Sequence, residues 1–553
     1  MTTSGIRYPS FHPGLEGAAS EVADGTLSRR EFLSRATALG LSSTAAYGLL
    51  GAAAPKAHAQ DRAEGGTLRI QMDVRALKDP RTYDWPQMAN VTRGWLEYLA
   101  EYQRDGTITP MLLESWEVSD DATEYTLNVR PGITWWNGDA FTAEHVAHNI
   151  ERWCERDVEG NAMAARFGSL IDDDTGKIRD GAIEIVDDTT LKLTLGDADI
   201  TIIPSFTDYP AAVVHPDFDG DPLTAIGTGP YMSDSYEVGV EAVLVPKPDF
   251  TWWGAEVFGP APLDEIRFID LGTDASAVFA AADSGEVDMV YESVGDFVDL
   301  MDTLGWVQSE TPTNGTVVIR PNQKAEVNGQ TPYADARVRR ALSLASDNAT
   351  LLQLGYGGRG TLAANHHVSP LHPEYADIGP SQYDPEQAMA LMEEAGMADY
   401  EHELISIDDD WRRNTCDAMA AQLRDAGINV KRTVLPGATF WNDWVQYPFS
   451  ATDWGGRPLG VQTLSLAYRS GVPWNESGFS NDEFDALLDR AKGIPDPDER
   501  RVLMEQIETI LREEGVITQP YWRSIYRHYR EDVVGAEMHP VFEIHLYKLG
   551  RAA

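Results

Sequence analysis

The stretch "ATDWGGRPLG", residues 451–460, combines residue types that suit contact with a ligand. The indole of Trp454 offers a flat apolar face, and the guanidinium of Arg457 offers a rigid fork of hydrogen-bond donors. Gly455 and Gly456 lack side chains, so the backbone there can come close to a ligand. Asp453 adds a carboxylate just before the tryptophan. The sequence therefore predicts a ligand-binding loop, with a plain turn and a surface arginine as the alternative.

Histidines and acids elsewhere could serve a metal or acid–base chemistry. His366 and His367 are adjacent and His372 follows, so together they could ligate a metal. We favour the interpretation that they line a cleft or lie at the surface of a proline-bounded loop, and we predict no metal site. The acid run 408–410 is best explained as a solvated turn in a chain with 88 acidic residues.

Sequence motifs of catalysis are missing from the chain. There is no GxSxG, no HExxH, and no SxxK with its partner motifs, and "GYGGRG" at 355–360 lacks the Lys-Ser/Thr of a phosphate loop. We therefore predict no catalytic residue, no enzyme activity and no cofactor. A periplasmic hydrolase is the less favoured alternative, and a sensor or chaperone component is a further one.

Two tryptophans are additional candidates for ligand contact. Trp85 follows the first predicted strand, and ligand contact and packing are equally weighted for it. Trp441 lies in "ATFWNDW" between strand-like segments and is a weaker candidate.

Composition limits the class of protein. A length of 553 residues predicts two or more domains, and 42% apolar residues suffice for packed cores. The formal net charge of −44 argues against a nucleic-acid binder, because phosphate contacts need clustered Lys and Arg. Cys154 and Cys416 are far apart in sequence, so two buried free thiols are favoured over a disulfide.

The N-terminus has the layout of an export signal. A basic pair precedes a mildly apolar, uncharged run and then Ala57-His58-Ala59, which predicts cleavage before Gln60. The string Ser28-Arg29-Arg30-Glu31-Phe32-Leu33 resembles the twin-arginine signal, which serves chains exported already folded. We expect residues 1–59 to be this signal and the mature protein to be periplasmic.

The mature chain alternates predicted strands and helices. "GGTLRIQMD" predicts a strand, "VTRGWLEYLAEY" a helix, and residues 183–196 a hairpin that turns at Asp187-Asp188. "DPDERRVLMEQIETILREEG" predicts a helix with Pro near its start and Gly at its end. The pattern indicates an α/β fold with mixed sheets.

Several segments in this order resemble one family, the extracytoplasmic solute-binding proteins of peptide/nickel (oligopeptide/dipeptide) ABC importers. The segments are "PMLLESWEVSDDATEYTLNVRPGITWWNGDAFTAEHV", "GTGPY", "PLDEIRF", "SGEVDMV", "YADARVRRALSLASD", "YDPEQAMALMEEAG" and "NDEFDALLDRA". The resemblance implies two lobes, a hinge, and a subdomain inserted in lobe I. The implied lobe I comprises 60–109, 226–318 and 515–553, the subdomain 110–225, and lobe II 319–514.

The resemblance also implies the function. A receptor of this class captures a small organic ligand between its lobes and delivers it to permease subunits in the inner membrane. A di- or oligopeptide is the default ligand, an opine, acidic conjugate or oligosaccharide is the alternative, and we expect a monomer.

In peptide-binding relatives the loop has the form W-x-x-D, and the Asp pairs with the α-ammonium group of the ligand. Here the fourth position is Arg457, a cation where the anion is expected. At about 4 Å and an effective dielectric of 20, repulsion of an ammonium group would be about 4 kcal/mol. The resemblance thus predicts a ligand with an acidic or polyhydroxylated end at Arg457, or a peptide bound in reverse.

Overall fold

The computed structural model describes residues 12, 15, 21–22, 27–50 and 62–553. The expected cleavage site, Ala57-His58-Ala59, and the expected mature start at Gln60 lie outside the described residues. Arg29 and Arg30 lie within them and open a helix. Among the described helices, none combines the length and apolar character that a membrane crossing requires.

Helices and strands alternate along the described chain. In these residues the helices, numbered α1 to α16, are Arg29–Ala38, Ser43–Leu49, Pro86–Thr92, Ala143–Trp153, Ile202–Ser205, Ala255–Phe258, Ala275–Ser284, Asp296–Asp302, Ala336–Leu344, Asn348–Tyr356, Pro385–Glu394, Asp410–Asp425, Gly437–Phe440, Gly460–Ala467, Asp482–Lys492 and Pro497–Glu513. The strands, β1 to β22, are Arg62–Ala63, Thr67–Gln71, Ala100–Tyr102, Ile108–Pro110, Leu113–Val118, Glu124–Val129, Ile171–Asp172, Lys177–Ile178, Ile183–Asp187, Thr190–Thr194, Tyr231–Glu237, Glu241–Pro246, Glu265–Ile269, Met289–Val290, Val307–Pro321, Gly360–Leu362, His402–Ile407, Val430–Leu435, Phe449–Trp454, Tyr521–Tyr529, Val533–Val534 and Gly550–Ala552.

One mixed sheet runs through most of the molecule, in the order β11-β12-β13-β2-β14-β20-β15-β19-β17-β18, with β16 also paired to β20. β2 is parallel to both β13 and β14, and β17 is parallel to both β18 and β19. We call the part built on β2 and β11–β14 lobe I and the part built on β17–β19 lobe II. This mixed α/β architecture confirms the predicted fold class.

The long strands β15 and β20 join the two lobes. They pair antiparallel, but their register shifts between Pro312 and Thr316, so the ladder is interrupted there. Beyond the interruption, Ile319 and Thr518 exchange two backbone hydrogen bonds of 2.9 and 2.8 Å. The lobes are therefore connected through a shared sheet with a local irregularity at their boundary.

A second sheet has the order β5-β6-β10-β9, and we call the part of the molecule built on it the subdomain. β9 and β10 pair antiparallel around Asp187 and Asp188, which confirms the predicted hairpin. Leu127 and Leu191 of this sheet share one buried apolar cluster with Leu68 of β2. The subdomain is thus packed onto lobe I, while the exact domain boundaries stay a prediction.

Lobe II has a core on each side of its sheet, because successive strand residues face opposite sides. Val317 and Ile319 of β15 pack in the cluster that contains residues of α9 to α12. Val318, between them, packs in the cluster formed with α14 to α16. Trp454 and Leu459, at the two ends of the loop after β19, belong to this second cluster, so its helices hold the loop in place.

The ends of α16 follow the predicted punctuation. Pro497 occupies the first turn, and the Asp496 carboxylate before it accepts from the backbone of Asp498 and Glu499. Gly515, just past the end, has a φ of +60°, a conformation that glycine adopts without strain.

The helix predicted in "VTRGWLEYLAEY" is wrong over most of its length. α3 ends at Thr92, and the segment closes with strand β3. The carbonyl of Gly94 accepts from the backbone of Tyr231, and the carbonyl of Trp95 accepts from Thr228 and Gly229. These carbonyls pair with the "GTGPY" corner, so tertiary hydrogen bonds replace those of a helix.

The cysteines are free thiols, as favoured. Cys154 and Cys416 are both buried and unpaired. Burial raises the pKa of each thiol to about 12, so both stay protonated at neutral pH.

Candidate functional site

The predicted loop connects a strand to a helix. β19 ends at Trp454 and α14 begins at Gly460, so the alternative of a turn between two strands is wrong. A Cβ on Gly456 would lie 1.6 Å from Asn314 Oδ1, whereas a Cβ on Gly455 would meet nothing within 4 Å. Gly456 is therefore required by the close approach of Asn314, and Gly455 leaves open space.

Asn314 ties the loop to the interruption in the β15 ladder. Its Nδ2 donates to the carbonyl of Arg457 at 2.5 Å and lies 2.6 Å from His372 Nε2. The loop is thus fixed to the segment that joins the lobes.

Trp454 is held by a buried charged group. Its Nε1 donates to Glu476 Oε1 at 2.7 Å, and Glu476 forms an ion pair with Arg320 at 2.6 Å. The indole meets the ring of Trp474 edge-on at 5.9 Å. The ring therefore has one orientation, and it lines a cavity.

Arg457 lies in that cavity, 6% exposed, and reaches across to the inserted subdomain. Its Nε donates to Asp208 Oδ2 at 3.3 Å. Arg166 donates to the same oxygen through Nε at 2.9 Å and Nη2 at 2.5 Å. Two guanidinium groups thus share one carboxylate, and this trio carries a net charge of +1.

The protonation state of Asp208 follows from these neighbours. Burial alone would raise its pKa, but Arg166 and then Arg457 outweigh burial and hold the pKa at about 2. The carboxylate is therefore charged at neutral pH, and it links lobe II to the subdomain.

We call this cavity the inner chamber. It has a volume of about 90 Å³ and draws its walls from lobe I, the subdomain and lobe II. Its lining includes Asp84, Trp85, Tyr102, Thr207, Asp208, Tyr209, Trp444, Asp453, Trp454, Gly455, Gly456, Arg457, Gln462, Trp474 and Glu543. Tyr209 and Trp474 stack across the boundary with ring centres 6.3 Å apart. The walls thus combine several aromatic rings with a similar number of polar and charged side chains.

A larger space, the outer chamber, adjoins it and shares Trp85 and Asp453 with it. Its volume is about 750 Å³, and its lining includes Gln71, Asp73, Arg75, Asp270, Tyr291, Glu292, Asp409, Asp410, Trp411, Arg412, Trp441 and Arg523. Trp85 of lobe I meets Trp441 of lobe II with ring centres 4.3 Å apart. The two tryptophans close the cleft at this point.

Arginines and carboxylates that line the outer chamber form ion pairs with one another. Arg523 binds Glu292, and Arg412 binds both Asp453 and Asp409, the latter at 2.6 Å. Burial raises the pKa of Glu292, and Arg523 opposes this effect. Asp453 is thus engaged by an arginine within its own lobe.

The predicted site residues separate into two groups. The structure brings Trp85, Trp441, Asp453, Trp454, Gly455, Gly456 and Arg457 to the two chambers. His366 and His367 line neither chamber and are each 1% exposed, so they are not at the surface. His367 meets the ring of Trp454 edge-on at 5.6 Å, and His366 lines a separate cavity. His367 Nδ1 lies 2.6 Å from the Tyr468 hydroxyl, and burial lowers the pKa of both imidazoles.

One group with metal-ligand chemistry occurs in the described residues, formed by His539, Glu543 and His545. Arg93 binds Glu543 at 2.8 Å, and Lys548 Nζ lies 2.9 Å from His545 Nδ1. With two cations in direct contact, the cluster is best explained as a buried polar network.

Sequence reasoning missed the subdomain side of the inner chamber. Arg166, Asp208 and Tyr209 are about 250 to 290 residues from Arg457 along the chain, and Trp474 lies in a separate loop. The single acid in "FTDYP" has no neighbouring residues that predict a binding role. It reaches the loop at Arg457 only in the folded chain.

The family description "Bacterial extracellular solute-binding proteins, family 5 Middle" matches residues 107–476. The chain therefore belongs to this family of receptors. The resemblance drawn from the sequence motifs is confirmed at this level.

Individual relatives differ in what they bind. The chain is 25% identical to heme-binding protein A of Haemophilus influenzae over 456 residues, 75% of this chain and 79% of that one. Its fold matches the Escherichia coli murein tripeptide binding protein MppA with a TM-score of 0.77 at 21% identity, over 89% of this chain and 100% of that one. It also matches AgaA of A. tumefaciens R10, solved with agropinic acid, with a TM-score of 0.74 at 22% identity. This match covers 88% of this chain and 99% of that one.

These matches show a two-lobed periplasmic-binding-protein fold, as predicted. The relatives are binding proteins rather than enzymes. The family is extracytoplasmic.

Proposed function

We propose that this protein is the periplasmic receptor of an ABC importer for a peptide or peptide-like organic ligand. The mature protein acts as a monomer and delivers its ligand to permease subunits in the inner membrane. Residues 1–59 serve as a twin-arginine export signal. The family supports the importer partnership, and the murein tripeptide relative supports a peptide-like ligand.

One observation carries the proposal. Trp85 of lobe I, Tyr209 of the subdomain and Trp454 of lobe II line the same cavity. A ligand there touches both sides of the cleft, so its binding free energy favours the closed arrangement. Aromatic rings beside convergent polar and charged groups suit a small organic molecule that has both apolar and polar parts.

Arg457 supports an acidic or hydroxyl-bearing end at the inner chamber. Asp208 already accepts three hydrogen bonds through one oxygen, and its Oδ1 accepts from the backbone of Tyr209. The remaining positive charge of the arginine trio attracts a carboxylate, which an arginine can hold with two bonds. A plain peptide with a free amino end at this position is repelled. An opine, acidic conjugate or oligosaccharide, or a peptide bound in reverse, is the better match.

The test is calorimetry with plain dipeptides, N-blocked dipeptides and agropinic acid. Arg457→Ala should weaken binding of the acidic ligands at least tenfold, which corresponds to 1.4 kcal/mol. Arg413→Ala is the control, because this half-exposed arginine pairs with Asp408 and Asp410 at the surface. Tight binding of plain dipeptides to the wild type, unchanged in Arg457→Ala, would refute the role of the arginine.

Small-angle scattering tests the receptor mechanism itself. A bound ligand should reduce the radius of gyration, because it draws the lobes together. Native mass spectrometry of the protein from its own host supplies the ligand that copurifies. An unchanged radius with saturating ligand would contradict the proposal that ligand binding closes the cleft.

A further inference from the structure

The N-terminal helical segment, residues 27–50, has an apolar core of its own. Ser28 and Glu31 cap α1 reciprocally: Ser28 Oγ accepts from the Glu31 backbone at 3.2 Å, and the Ser28 backbone donates to Glu31 Oε2 at 2.6 Å. Phe32 and Leu33 of α1 pack against Tyr47 of α2. The segment is therefore a folded helical pair.

This segment is docked on lobe I and on strand β5 of the subdomain through specific hydrogen bonds. The backbone N–H of Ile108 donates to Thr37 Oγ1 at 2.8 Å. Trp116 Nε1 donates to the carbonyls of Thr37 and Ala38 at 3.2 Å each. The Tyr47 hydroxyl donates to Asp105 Oδ2 at 2.6 Å.

The surface that contacts the segment fits it closely at Gly106. Gly106 has a φ of +95°, and a Cβ there would lie 2.3 Å from Arg30 Cγ and 2.7 Å from the Arg30 carbonyl. Arg30 itself donates to the carbonyl of Arg104 at 3.2 Å and to the carbonyl of Pro312 at 3.3 Å. Pro312 borders the interruption in the β15 ladder, so Arg30 reaches the segment that joins the lobes.

The other side of α1 faces lobe II. Arg35 Nη2 lies 4.0 Å from Asp496 Oδ2, at the start of α16. Arg30, Glu31 and Ser34 enclose a small cavity of about 20 Å³, whose lobe II wall includes Leu371. Four residues of this cavity also line the inner chamber: Tyr102, Arg457, Pro458 and Val541.

We propose that the N-terminal helical segment, while attached, is a strap that holds the two lobes together and closes the rear of the inner chamber. The inference rests on the proposed two-lobed receptor and on removal of the segment by cleavage near Gln60. The full-length chain is then restricted in its hinge motion, and the mature protein is free to open.

Two adjacent arginines supply a matched pair of variants. Arg30→Gln removes the cation that donates to the lobe I and β15 carbonyls. Arg29→Gln removes the same charge one residue earlier, where the side chain is exposed and lies over the Tyr47 ring of its own segment. Thr37→Val is a second perturbation, since it deletes the acceptor for the Ile108 amide.

The experiment measures hydrogen exchange of the Ile108 region and the radius of gyration of the ligand-free, full-length chain. Arg30→Gln and Thr37→Val should speed exchange there about tenfold and increase the radius. Arg29→Gln should match the unmodified chain in both measurements. Cutting at a protease site inserted within 51–60, followed by removal of the segment, should also increase the radius.

Equal exchange in Arg30→Gln and Arg29→Gln would show that the segment is not docked as described. Faster exchange with no change in radius, including after removal of the segment, would show docking without a strap function. Neither measurement uses a ligand, so a failure of the proposed ligand chemistry leaves this test intact.

Discussion

Asp208→Asn is the most informative substitution in the inner chamber, because one carboxylate pairs with two buried guanidinium groups there. The amide keeps the shape of the side chain and loses its charge. Arg166 and Arg457 would then repel each other in a buried site. We expect both a less stable protein and a weaker link between lobe II and the subdomain.

The magnitude follows from the pKa of Asp208. A fall from the ordinary 3.8 to about 2 corresponds to about 2 kcal/mol of stabilisation of the native state by the charged carboxylate. Because the folded pKa is depressed, this stabilisation is fully present above pH 3.8 and is lost as the pH falls through about 2. The difference between the wild type and Asp208→Asn should therefore be largest at neutral pH and shrink between pH 4 and pH 2.

Thermal unfolding at several pH values measures this difference. At pH 7 the midpoint for Asp208→Asn should be about 2–4 °C lower than for the wild type. Asp84→Asn is the control, since Asp84 pairs with Lys78 at 2.6 Å with both side chains partly exposed, and such a pair contributes below about 1 kcal/mol. Equal midpoints at pH 7 for wild type and Asp208→Asn, or a difference that does not change with pH, would refute the assigned charge network.

Two further predictions concern packing. Gly456→Ala should lower the free energy of unfolding by about 1–3 kcal/mol, because the new Cβ displaces Asn314. Gly455→Ala should change the free energy of unfolding little, since its Cβ meets open space. Equal unfolding midpoints for the two variants would contradict this prediction. Cys154 and Cys416 should resist thiol reagents in the native protein and react after unfolding, since burial raises the pKa of both thiols. Rapid labelling of the native protein, or a disulfide in the intact mass, would count against the buried thiols.

Local sequence signals predicted much of the fold because the relevant interactions are local. The Asp187-Asp188 hairpin and the caps of α16 depend on residues within a few positions of each other. The helix expected after Val91 failed because the carbonyls of Gly94 and Trp95 bind a corner more than 130 residues away. A pattern of apolar spacing contains no information about such partners.

The candidate site was predictable on one side. The composition of their loop predicted ligand contact for Trp454 and Arg457, and the structure places both at the inner chamber. The charge that meets Arg457 comes from Asp208, in another part of the fold. The adjacent histidines were expected in a cleft or at the surface because their side chains are polar. His367 is instead buried, with its imidazole against the Tyr468 hydroxyl.

The interruption of the β15 ladder has a thermodynamic consequence. Asn314 lies within it and also donates to the backbone carbonyl of Arg457, so the interruption and the loop after β19 are in direct contact. Suppose that a ligand bound at the loop changes the equilibrium constant for bending at the interruption. Bending must then change the affinity of the loop for that ligand by the same factor. Affinity and lobe geometry are then not independent properties. A solute therefore shifts the arrangement of the lobes only by the ratio of its affinities for the two arrangements, however tightly it binds.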